Sequence, residues 1–109
     1  MKEGKARLIL RKGEVFYNPK MHLNRDLAVL FASSYFPSDR KLRICDPMTA
    51  SGVRAVRYAL EAPNVLRVLA ADNKLQTVEA ARATVRLNRL EDRIQVVESD
   101  ANILLSNQV

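Results

Sequence analysis

The sequence predicts an α/β fold built on a small parallel sheet. Short apolar strands and amphipathic helices alternate in the order strand, helix, strand, helix, strand, and each of the three strands ends on an aspartate. Parallel neighbours need a crossover long enough to hold a helix, and that crossover is right-handed in nearly all cases. No linker, low-complexity tract or repeat of fixed period interrupts the pattern.

The elements follow in chain order. Lys5 to Arg11 and Glu14 to Tyr17 are short runs with β-branched and aromatic residues; Lys12-Gly13 between them reads as a hairpin turn, and Asn18-Pro19 closes the hairpin. From Asn24 the period changes. Leu27, Leu30, Phe31 and Tyr35 fall at helical spacing, Asn24 is an N-cap and Pro37 a stop, which predicts a helix from Arg25 to Phe36. Leu42 to Asp46 is the first strand of the repeating unit. Val53, Val56 and Leu60 mark a helix ended at Pro63-Asn64, and Leu66 to Ala71 is a second strand closing on Asp72. Leu75, Val78, Ala81 and Val85 mark another helix ended near Asn88; Ile94 to Glu98 is a third strand closing on Asp100. Cys45 lies in a strand that reads as buried and is expected to be a small core residue. His22 is expected in an exposed loop. Arg82, Arg86 and Arg89, at i, i+4 and i+7, read as the solvated side of the last helix.

The 109 residues include 18 Lys+Arg and 12 Asp+Glu, a formal charge of +6. Met1 to Arg25 alone carries seven basic and two acidic residues, so the excess is local. A basic block on an otherwise balanced domain is either a partnerless cationic arm or a surface for a polyanion such as RNA. The chain thus divides into residues 1–23, a basic hairpin, and residues 24–109, the α/β unit. One cysteine excludes an intramolecular disulfide, and one Cys with one His cannot make a four-ligand zinc site, so no metal is expected. Apolar runs fall well short of the ~20 residues a membrane helix requires, and the start lacks a signal-peptide pattern; the expectation is a soluble, cytoplasmic protein without a membrane partner.

In such a sheet the ligand lies beyond the carboxyl ends of the strands. Asp46, Asp72 and Asp100 occupy those three ends. Each alone is explained by solvation or helix capping, but three at equivalent places point to a ligand. Asp72 follows Asp46 by 26 residues, near the ~20-residue offset at which a carboxylate meets nucleotide ribose hydroxyls. Its charge repels a 2′-phosphate, which favours an unphosphorylated adenosine. The loop Asp46-Pro47-Met48-Thr49-Ala50-Ser51-Gly52-Val53-Arg54 has neither a Gly-Lys-Ser/Thr ending nor three glycines, so it suits a pyrophosphate poorly. Arg54, in the first turn of the following helix, either pairs with a ligand carboxylate or is simply solvated.

These residues carry a family resemblance. Glu3-Gly4-Lys5-Ala6-Arg7, Val15-Phe16-Tyr17-Asn18-Pro19, Leu23-Asn24-Arg25-Asp26-Leu27, Asp46 to Tyr58 and Ser99-Asp100-Ala101-Asn102 stand in the order and spacing of the amino-terminal part of the tRNA (guanine-N2-)-dimethyltransferase family. The chain is similar to that family from Lys2 to Ser106. The resemblance implies the βαβαβ half of a class I (Rossmann-like) methyltransferase using S-adenosyl-L-methionine to methylate guanine 26 of tRNA. It implies that Arg25 and Arg54 hold the amino-acid end of the cofactor, with Asp46 and Gly52 in the same loop site. Asp72 then takes the ribose hydroxyls, and Asp100 with the Ala101 backbone takes the adenine edge. Phe16 resembles an aromatic that stacks on the flipped guanine, although a hairpin side chain packed on the first helix explains it equally. The resemblance also implies that the basic hairpin, residues 1–23, faces the RNA, with Lys5 and Arg7 expected on it.

Guanine N2 is a poor nucleophile, so methyl transfer needs acceptors for its protons. In the family these come from an Asp-Pro motif after a fourth strand, which these 109 residues do not contain; Asp46-Pro47 follows the first. The expectation is an amino-terminal fragment, inactive alone, with catalytic residues downstream of Val109 and an exposed strand edge that promotes self-association. Two rivals remain: a nicotinamide-dependent oxidoreductase module, which would want the missing glycines, and a non-enzymatic RNA-binding module.

Overall fold

A computed structural model describes residues 1–8, 17–37, 39–47 and 49–100. Strands β3 (Leu42–Asp46), β4 (Val65–Asp72) and β5 (Ile94–Glu98) form one sheet in the order β3-β4-β5, parallel throughout. Helices α2 (Val53–Glu61) and α3 (Leu75–Leu87) make the two crossovers. Because both crossovers step the same way across the sheet, right-handedness puts both helices on one face. Alternation does the rest: Ile44, Val68 and Ile94 form one cross-strand row on the helix face, with Ala70 and Val96 in the next, and four of these five are buried. Val56, Val65, Val68 and Val78 are fully enclosed, each contributing roughly 1.5–3 kcal/mol of apolar burial.

On the opposite face stand Arg43 beside Arg67, and Cys45 beside Leu69 and Gln95. Arg43, Arg67 and Gln95 are exposed there, and Cys45 is exposed with them, contrary to the expected core position. An apolar-looking strand is buried on both faces only if both are covered. Burial of the thiol itself and the neighbouring Asp46 carboxylate still raise the Cys45 pKa, which agrees with a cysteine that is not a nucleophile.

The amino-terminal region departs further from expectation. Strands β1 (Lys2–Glu3) and β2 (Ala6–Arg7) pair antiparallel around a turn at Gly4 and Lys5, with Gly4 at φ +55°. Lys5 is therefore a turn residue, and the expected Lys12-Gly13 turn lies outside the described residues. Whether Asn18-Pro19 closes that hairpin likewise lies outside the described residues; the pair opens the next element. Its Asn18 Oδ1 accepts from the Lys20 N–H at 2.9 Å and caps a 3-10 turn, Pro19–Met21, that runs directly into α1 (His22–Ser34). Proline at a first helical position has no donor to lose and its φ already suits a helix. The helix consequently starts at His22, with Asn24 inside it, and ends at Ser34 before Pro37. His22 is exposed as expected, but on the helix, 3.2 Å from Asp26.

The apolar stripe of α1 faces outward. Leu27, Leu30, Phe31 and Tyr35 are all more than half exposed, while Arg25, Val29 and Ala32 make the buried side. Phe31 stacks on Tyr35 at 4.6 Å between centroids, with Phe36 edge-on to both. Asn64 ties α1 to the sheet, its Nδ2 donating to the Ala32 carbonyl at 2.8 Å while its own carbonyl receives the Leu42 N–H. At the far edge, Arg82 is not merely solvated, because its Nε and Nη2 donate to the outward Val96 carbonyl of β5. Arg89 lies beyond the end of α3 in a left-handed conformation, so the expected three-arginine helix face reduces to Arg82 and Arg86. Among the described residues, no helix is long and apolar enough to cross a membrane.

Candidate functional site

The carboxyl ends of the three strands are joined by backbone bonds. After β3 the chain turns back at once: Thr49 N–H donates to the Ala71 carbonyl at 2.7 Å, and Gly52 N–H to the Thr49 carbonyl at 2.8 Å. Ala50 at φ +48° and Gly52 at φ +78° make the sharp turn. Gly52 is required twice, since a Cβ there would also come within 3.3 Å of the Ala81 Cβ on α3. The same tight turn starts α2 directly above the end of β3.

Asp72 links this loop to the next strand. One carboxylate oxygen accepts the Ala50 N–H at 3.3 Å and the other the Lys74 N–H at 3.2 Å, while its carbonyl receives Ser99 N–H at 2.9 Å. A carboxylate has about four lone-pair positions, so two backbone donors leave acceptor capacity for two hydroxyls. The structure thus brings the loop after Asp46, Asp72 and the 99–100 segment together at one edge. Asp46 is half-buried and Asp100 exposed.

The start of α2 adds the opposite polarity. Its N-cap is Gly52; Ser51 Oγ accepts the Val53 N–H at 3.5 Å, and the positive end of the helix faces the loop. Arg54 stands half-buried in that first turn. Thr49 is 4% exposed and its Oγ1 has no hydrogen-bond partner among the described residues. Sequence reading passed over Thr49; only the burial of a loop hydroxyl distinguishes it.

Arg25 is placed differently from Arg54. It is buried at 6% exposure, with Nε and Nη2 on the Glu3 carboxylate (2.6 to 3.0 Å), Nη2 also on the Asn18 carbonyl at 3.0 Å, and its guanidinium over the Tyr17 ring at 4.9 Å. Glu3 also accepts from Tyr17 Oη at 2.7 Å and Arg57 Nη1 at 3.0 Å. Arg57 in turn reaches Asp26 at 2.6 Å and Glu61 at 2.8 Å. Burial pushes the Glu3 carboxyl up, but the bonds from Arg25, Tyr17 and Arg57 outweigh it and hold the pKa at about 2. Glu61 raises the Arg57 pKa, against the effect of burial, and Arg57 lowers that of Glu61. No sequence signal singled out Glu3; the signal available was Arg25 on the stripe of Val29 and Ala32, a buried cation that demands a carboxylate.

Lys5 and Arg7 are not brought to the strand ends. The Lys5 N–H donates to Glu61, the last residue of α2, at 3.1 Å, and the Arg7 backbone exchanges two bonds with Asn88 at the end of α3. Those helix ends lie over the amino ends of the strands, away from Asp72. Phe16 and Ala101 lie outside the described residues. No group of three or more metal-ligating side chains occurs among the described residues.

Comparison with known proteins identifies the fold and the family. The profile of the family described as N2,N2-dimethylguanosine tRNA methyltransferase matches residues 1–109. The tRNA (guanine(26)-N(2))-dimethyltransferase of Sulfolobus acidocaldarius is 37% identical over 94% of this chain and 30% of its own length. The tRNA (guanine(26)-N(2)/guanine(27)-N(2))-dimethyltransferase of Aquifex aeolicus is 38% identical over 86% and 24%. The chain therefore spans under a third of these relatives. Among solved structures, Trm1 from Pyrococcus horikoshii with S-adenosyl-L-methionine superposes with a TM-score of 0.87 at 31% identity, covering 99% of this chain and 32% of that one. Trm5 of Methanocaldococcus jannaschii in complex with adenosine, at 20% identity and a TM-score of 0.73, shares the fold. The architecture is the α/β methyltransferase fold expected from the strand–helix alternation, and the chain belongs to the N2,N2-dimethylguanosine tRNA methyltransferase family.

Proposed function

We propose that this chain supplies the methyl-donor half of an S-adenosyl-L-methionine-dependent enzyme that methylates guanine N2 at position 26 of tRNA. The observation that carries the reading is the bond from Ala50 N–H to Asp72, which sets an acceptor carboxylate beside the start of α2. The residues fit the donor chemically. Asp72 retains lone pairs for two ribose hydroxyls, the α2 amino end and Arg54 favour a carboxylate, and the buried Thr49 hydroxyl lacks a partner among the described residues. Asp46 and Gly52 shape the loop between them. Arg25 is assigned to the amino-acid end of the donor, and Asp100 with Ala101 to the adenine edge.

When bound, S-adenosyl-L-methionine supplies an electrophilic methyl group on its sulfonium. The task of this chain is to fix the donor at both ends, since methyl transfer requires an in-line approach and small misplacements are costly. Groups that accept the guanine protons are assigned to the portion of the relatives that this chain does not match. Residues 1–23 are assigned to the RNA side, with Phe16, Lys5 and Arg7 as its contacts, the last two reaching RNA away from the strand ends. We place the protein in the cytoplasm, where tRNA is the partner. Arg82 blunts the β5 edge, whereas no described strand covers the outer edge of β3; self-association is assigned there.

A titration separates this reading from a nicotinamide module, which the single glycine of the loop already disfavours. S-adenosylhomocysteine should bind with NAD inert; binding of NAD alone would reverse the assignment. An RNA-only module would bind neither nucleotide and would keep its RNA affinity in Asp72→Ala.

A further inference from the structure

The Glu3 carboxylate lies at the junction of four segments. It joins β1 to α1 through Arg25, to α2 through Arg57, and to Tyr17, next to Asn18 whose carbonyl also holds Arg25. At 2% exposure it has no solvent role. Its bonds fix the orientation of one side chain in particular. Arg25 gives Nε and Nη2 to Glu3, and Nη2 also to the Asn18 carbonyl. Arg57, the other guanidinium on Glu3, has Nε and Nη2 on Glu61 and Nη1 on Glu3 and Asp26, so each of its nitrogens is occupied. Arg57 also follows Arg54 by three residues on α2, which makes the two neighbours on the helix surface. One buried carboxylate therefore immobilises Arg25, one side chain away from the turn that carries Arg54.

We propose that Glu3 is a positioning residue for the methyl donor: it holds the Arg25 guanidinium in the orientation that meets the amino-acid end of the ligand, and thereby ties the amino-terminal segment to donor binding. This rests on the donor-site reading above. An arginine has several rotatable bonds to order, and a bidentate carboxylate orders most of them before the ligand arrives. The ligand then gains a charge-assisted bond at lower entropic cost.

Two ligands isolate the effect. S-adenosylhomocysteine has the amino-acid end; 5′-methylthioadenosine keeps the nucleoside and the sulfur but lacks that end. With E3Q and E3D, calorimetry should find S-adenosylhomocysteine bound about tenfold more weakly, and 5′-methylthioadenosine within about twofold of the original affinity. E3D keeps the charge between the two guanidiniums and retracts it by one methylene, so it tests positioning even if E3Q does not fold. Equal loss of both ligands, or loss of neither, overturns the proposal and leaves the donor site standing. Failure of the unaltered chain to bind either ligand overturns both.

Discussion

The strand ends and the amino-terminal region are held by opposite means. At the strand ends the backbone does the positioning: a left-handed glycine, three short turn and strand bonds, and one aspartate accepting two neighbouring N–H groups. In the amino-terminal region the side chains do it, over long sequence separations, with Glu3 reaching Arg57 and Arg7 reaching Asn88. A site built on backbone geometry tolerates loss of any one side chain in stability and loses ligand affinity. A region built on buried charges loses stability as well, because removing one partner leaves the others desolvated and uncompensated.

The largest expected effect is at Glu3. E3Q leaves Arg25 and Arg57 buried with less counter-charge, and denaturant unfolding should find a loss of about 3–5 kcal/mol. A loss under about 1 kcal/mol would mean that the network contributes nothing beyond a surface pair. The pH dependence sharpens the same point. The Glu3 pKa falls from 4.5 to about 2 on folding, so its stabilisation is present above pH 4.5 and is lost as the pH falls through about 2. That is about 3 kcal/mol in all. Thermal scans between pH 5 and pH 2 should be steep for the unaltered chain and distinctly flatter for E3Q.

Next in size is D72N, the counterpart at the strand ends. Losing a charged acceptor for two hydroxyls should weaken S-adenosylhomocysteine by about 10- to 100-fold, with stability changed by about 1 kcal/mol or less. A variant that unfolds instead would erase the distinction between the two regions. G52A comes after it. The left-handed φ and the approach to Ala81 predict a cost of about 1–2 kcal/mol, readable as a shift in the midpoint of denaturant unfolding. Smallest is N18A, which removes the cap on the Pro19–Met21 turn for about 1 kcal/mol.

The same contrast explains what the sequence made legible. The bounds of β5 are those the pattern predicts, and α2, α3, β3 and β4 follow it closely, because periodicity and turn residues are local. The place of Asp72 at the end of a strand was legible for the same reason. The amino-terminal region was not. The stripe of Leu27, Leu30, Phe31 and Tyr35 announces a helix but not which side packs, and here an arginine side is buried in its place. Glu3 stands in a basic segment where a carboxylate reads as solvated; only its arrival between Arg25 and Arg57, distant in sequence, gives it a role. Cys45 was misread because its side chain stands exposed beside Arg43, Arg67 and Gln95, a fact of layering that strand composition does not encode.

The central claim is that the strand ends of this chain seat the methyl donor. Backbone amide shifts measured by NMR while S-adenosylhomocysteine is added test it most directly. The account predicts that the largest changes fall on Ala50, Gly52, Arg54 and Asp72, saturating with ligand and disappearing in D72N. Changes confined to the β1–β2 hairpin, or none at saturating ligand, would contradict it.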